Sequence, residues 1–97
     1  MEIFANSEYD INALANTVRA HCQHQYPWIK TSQAFVSLVQ DPDVDRTFVM
    51  KLEFPRSTDR TRIVLEPHAL VIVPDFGYAQ PICHFDNLNA FVRGDIF

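Results

Sequence analysis

Apolar residues fall in two different rhythms along this chain. Between residues 8 and 25 they recur at Ile11, Leu14, Ala15, Val18 and Cys22, with Asn12, Asn16 and Gln23 on the opposite side. That spacing places one apolar stripe on a helix. Ser7, with Asp10 three residues on, has the form of a capping box. Pro27 pushes the residue before it out of the helical region. The pattern therefore predicts a helix over about 8–25. From residue 47 the rhythm changes to two. Phe48, Met50, Leu52 and Phe54 alternate with Thr47, Val49, Lys51 and Glu53, which predicts a strand over 47–54 with one face in the core. A second strand is predicted at 62–66, with Ile63 and Leu65 on one face. A third is predicted at 69–73. Its residues are apolar on both faces, so it is expected to be central or covered on both sides.

Residues 31–40 fit both rhythms. Ala34, Phe35, Leu38 and Val39 form a helical stripe behind a Thr31-Ser32 cap, and the same residues also alternate as a strand. The cap favours a helix, because a strand would bury Ser37 beside Phe35. Asp41-Pro42-Asp43 and Pro74-Asp75-Phe76-Gly77 read as turns. Asp86 is placed to cap a short final helix with Leu88, Phe91 and Val92 inward, and Gly94 to end it. The expected fold class is α+β: one domain over residues 1–97, an antiparallel β-meander of about three strands with two to three helices packed on one face.

Composition narrows the function classes. Two glycines in 97 residues leave no Gly-rich phosphate loop. No basic n-region or long apolar stretch opens the chain, so the expected compartment is the cytoplasm. Cys22 and Cys83 are then expected as reduced, buried thiols. Asp41-x-Asp43-x-Asp45 starts like a calcium loop, but Arg46 and Leu52 stand where that loop needs glycine and a bidentate glutamate. His21, His24, Cys83 and His84 offer the ligand types of a zinc site, yet Cys22 lies on the apolar helix face. No nucleophile motif is present. The expectation is no enzyme, no metal and no cofactor.

Charge changes the picture most. Up to Asp45 there are six acidic residues against two basic ones; from Arg46 onward the count is six against six. The net charge of −4 thus belongs to the first 45 residues. An acidic balance opposes direct nucleic-acid binding. Clustered carboxylates repel one another and are relieved by solvent or by a basic partner. In an extended run, Asp41, Asp43 and Asp45 would stand about 6–7 Å apart, on the scale of phosphates along a strand. Glu8 and Asp10 would lengthen that row if the first helix starts beside the turn, and Trp28 is an aromatic of the kind that anchors interfaces. A second candidate, Arg56, Arg60 and Arg62, lies in a loop without an evident aromatic platform beside it.

As a whole, with Met1–Asp10 and Asp41–Asp45 as its nearest local support, the chain resembles phage-encoded anti-CRISPR proteins of the type I-F class. These are small acidic inhibitors of the Csy surveillance complex that act as DNA mimics. The resemblance implies a non-enzymatic inhibitor, a monomer when free, whose Glu2, Glu8, Asp10, Asp41, Asp43, Asp45 and Trp28 meet a basic DNA-binding surface of that complex. One departure is the net charge, which is low for a DNA mimic, so mimicry would rest on a local patch. Two alternatives stay open: an immunity-protein or antitoxin-like binder that neutralises a nuclease, and a small zinc-dependent protein.

Overall fold

The computed structural model describes residues 11–23, 25–30, 33–40 and 48–97. Within them the order is α1 (Ile11–His21), β1 (Phe35–Gln40), β2 (Phe48–Pro55), β3 (Arg62–Leu65), β4 (Ala69–Val73), β5 (Gln80–His84) and α2 (Leu88–Arg93). The five strands form one sheet in sequence order, each antiparallel to the next. The α+β class and the meander hold; the strand number rises from three to five.

Register explains the core. Val36, Leu52, Leu65, Leu70 and Cys83 are opposed in one row across the sheet. Phe54, Ile63 and Ile72 form the next row. Leu14, Ala15, Val18 and Cys22 from the first helical region pack with these rows, as do Leu88, Ala90 and Phe91 of α2. The Phe85 and Phe91 rings lie 4.9 Å apart, and His21 meets Phe91 edge-on at 6.5 Å, so the end of α1 touches α2. The middle strand of the five is β3; β4 is interior, between β3 and β5, and has Leu70 and Val71 buried on opposite faces, in keeping with its unbroken apolar run.

Four sequence expectations are corrected. Residues 35–40 are a strand, not a helix. The objection to a strand was the burial of Ser37, but β1 lies at the sheet edge and Ser37 is exposed, as is Phe35 at 65%. An edge strand can carry apolar residues without burying their polar neighbours. The first helix ends at His21, not 25: Gln23 adopts a left-handed φ of 57° and its N–H donates to the Ala20 carbonyl three residues back. β5, unmarked by the sequence pattern, is a strand interrupted by Pro81 and by a register shift between Leu70 and Val71. Finally, α2 is capped by Asn87 rather than Asp86. The Asn87 carboxamide oxygen accepts from the Ala90 N–H at 2.9 Å, which turns Ala90 inward and leaves Val92 47% exposed. Gly94 does end that helix, at φ 88°. The Ser7 capping box and the Thr31-Ser32 cap lie outside the described residues.

Candidate functional site

The sheet has two ends of different character. At one end stand the start of β1 and the turns that join β2 to β3 and β4 to β5. The Arg56 N–H donates to the Thr61 carbonyl at 2.9 Å and closes the β2–β3 hairpin. Inside that turn the Thr61 N–H donates to Asp59 Oδ1 at 2.9 Å. This bond is the main reason the Asp59 carboxyl is held below the usual carboxylate range, and the nearby Arg56 guanidinium adds to it. The Thr61 hydroxyl then accepts from the Asp75 N–H at 3.2 Å. One buried threonine therefore ties the two turns side by side.

The two turns carry exposed aromatic and arginine side chains. Phe76 and Tyr78 are each 88% exposed, projecting from a turn whose central Gly77 has φ 107°. On the β2–β3 turn Arg60 is exposed, and Arg62 at the start of β3 pairs with Glu53 at 3.2 Å. Lys51 reaches the same Glu53 at 3.7 Å. Arg56 lies with its guanidinium carbon 5.1 Å above the Trp28 ring, and also bonds the Thr58 hydroxyl. An open cleft runs past it, lined by Gln33, Ala34, Phe35, Pro55, Arg56 and Ser57.

Trp28 is thus placed by the fold. It is half-buried, its indole N–H donates to the Phe54 carbonyl at 3.3 Å, and Tyr26 packs edge-on at 4.9 Å. Of the residues the sequence put forward for partner binding, Trp28 alone lies within the described residues. Glu2, Glu8, Asp10, Asp41, Asp43 and Asp45 lie outside them, as does the calcium-like run 41–45. The described strands fix only where that run is attached: Gln40 and Phe48 are opposed at the other end of the sheet, away from Arg56 and Phe76.

Cys22 and Cys83 are free, buried thiols. Burial, with the Cys83 thiol nearby, pushes the Cys22 thiol up to about 11, and burial raises Cys83 as well. Such thiols act as small hydrophobes and weak nucleophiles. Among the described residues no group of three or more His, Cys, Asp or Glu is placed to hold a metal ion; His24 lies outside them. No helix among the described residues is long and apolar enough to cross a membrane.

The sequence placed Phe76 in a turn and showed no aromatic platform beside the arginines. The missing signal was the Thr61–Asp75 bond, a contact between turns fourteen residues apart. Compared with known protein families, with curated proteins and with solved structures, the chain matches none.

Proposed function

We propose that this chain is a non-enzymatic inhibitor. It binds a basic, DNA-binding surface of a protein partner through the carboxylates of its first 45 residues. The partner proposed is the type I-F CRISPR surveillance complex in the host cytoplasm.

The observation that carries this reading is the partition of charge. The described residues hold seven basic and six acidic side chains, which is close to neutral. The remaining six carboxylates, with Arg46, fall in residues 1–10 and 41–47. Within the described residues several of these charges are paired with one another, as in Arg62–Glu53 and Arg93–Asp95. Clustered carboxylates of this kind steer toward lysines and arginines and speed association.

The aromatic end supports a protein as the partner. Phe76 and Tyr78 are residue types that anchor interfaces when a pocket receives them. An immunity-protein-like binder of a nuclease would use the same chemistry, so the choice of partner needs a direct test. Purified protein is offered to the type I-F complex and, separately, to cell extract lacking that complex. Retention on the complex, lost when Asp41, Asp43 and Asp45 are changed to Asn, is the result expected. Retention that is indifferent to those changes would defeat the acidic-surface reading.

A further inference from the structure

The chain has two cysteines, far apart in sequence, and the fold brings both to one end of the core. Cys83 stands on β5 opposite Leu70, in the row whose side chains meet the helices. Cys22 lies one residue past α1. Its N–H still donates to the Val18 carbonyl at 3.0 Å, and its side chain continues the stripe of Leu14, Ala15 and Val18. Ring contacts locate the two cysteines relative to each other. His21, beside Cys22, meets Phe91 edge-on, and Phe91 lies 4.9 Å from Phe85, which is two residues beyond Cys83 and buried in the same cluster. The end of α1 therefore sits near the end of β5. Burial first, and then the negative charge of a Cys83 thiolate, pushes the Cys22 thiol up, and the second effect requires the sulfurs to be near neighbours. Both thiols are free in this structure.

We propose that Cys22 and Cys83 are a redox pair, joined on oxidation by an intramolecular disulfide that fastens the end of the first helix to β5. The oxidant is a low-molecular-weight disulfide, such as glutathione disulfide. One cysteine thiolate attacks it, its S–S bond breaks, and one glutathione leaves as thiolate, which gives a mixed disulfide. The second cysteine then attacks the protein sulfur of that mixed disulfide and expels the other glutathione. The two cysteines lose two electrons and two protons; glutathione disulfide gains both and becomes two glutathione thiols. The backbone at Cys22 suits such closure. Gln23 is left-handed at φ 57°, and the Gln25 N–H donates to the Cys22 carbonyl at 3.0 Å, so Cys22 opens a turn. A turn shifts to meet the narrow geometry of the bond more readily than a residue in mid-helix. Burial keeps thiolate scarce and the first attack slow, so the pair responds to sustained oxidising conditions and not to brief ones. The pairing uses none of the carboxylates of the first 45 residues and stands apart from the acidic-surface reading.

Thiol–disulfide equilibrium on the full chain tests it. The protein is held in buffers of known glutathione to glutathione-disulfide ratio, once folded and once in urea, until the intact mass stops changing. The folded protein should lose two hydrogens and retain no glutathione. Digestion without reductant should yield one linked pair of peptides, carrying Cys22 and Cys83. The effective concentration of one thiol at the other should be at least about tenfold higher folded than in urea, because folding brings them together. By linkage the oxidised form should melt about 5 °C or more above the reduced one, and reductant should reverse the shift. Cys22→Ala and Cys83→Ala should each abolish it. Unreacted protein, glutathione adducts without a cross-link, a bond only between chains, or a cross-link that lowers the melting temperature would overturn the proposal. So would an effective concentration no higher folded than in urea. Should the alanine variants fail to fold, the comparison of folded and urea-treated parent still decides.

Discussion

Phe54 and Phe76 are the same residue under opposite constraints. Phe54 is fully buried in the row with Ile63, and its carbonyl receives the Trp28 indole N–H. Phe54→Ala would empty a core position and should cost about 3–5 kcal/mol, read from denaturant midpoints. Phe76 is 88% exposed on a turn, so Phe76→Ala should change stability by no more than about 0.5 kcal/mol. If that substitution instead destabilises the fold strongly, Phe76 is a structural plug and not an interface residue. Cys22 gives a second residue-scale test. Its folded pKa lies near 11, above its ordinary value of 9.0. A group raised by folding contributes stability below its unfolded pKa and loses it as pH climbs to the folded value. The melting temperature should therefore fall between about pH 9 and pH 11. Both thiols should also resist alkylation until denaturant is added. A Cys22→Ser variant whose alkaline melting curve matches that of the parent would remove Cys22 as the cause.

Elements show how much the sequence determined and where it stopped. The regular alternation of Phe48–Phe54 and the apolar run Ala69–Val73 were legible because their faces have different or uniformly apolar neighbours. β1 was not, since its six residues carry apolar side chains in both rhythms and only its edge position decides between them. β5 was hidden for a different reason. Pro81 and an exposed flank break the alternation, and the strand is specified by its pairing with Leu70 and Ile72 of the preceding strand. The α2 cap was misplaced by one residue because Asp86 and Asn87 are both good caps. Only the Asn87–Ala90 bond distinguishes them. Asn87→Ala should therefore destabilise the protein by about 1 kcal/mol, while Asp86→Ala should have a smaller effect. Equal losses from both would mean that the helix start is shared. The candidate site was less legible than the fold. The turns that carry Arg60 and Phe76 are joined by one hydroxyl, that of Thr61, and no local pattern announces that contact.

At the scale of the whole molecule, the frame of sheet and helices is nearly neutral and the surplus charge lies in residues 1–10 and 41–47. If those carboxylates face a basic partner, association should slow as salt rises, because the screening length shrinks from ~10 Å at 0.1 M to ~3 Å at 1 M. Stopped-flow mixing across that range reads the effect. A rate that does not change with salt would point to the aromatic end, Phe76 and Tyr78, as the contact. Changing Asp41, Asp43 and Asp45 to Asn should flatten the salt dependence and leave the melting temperature of the near-neutral frame within a few degrees. The most direct measurement is competition. The type I-F complex is held with this protein bound and titrated with target duplex, and both ligands are followed by separate labels. The account predicts mutual exclusion, each displacing the other in proportion to its concentration. Duplex and protein bound together with independent affinities would contradict it.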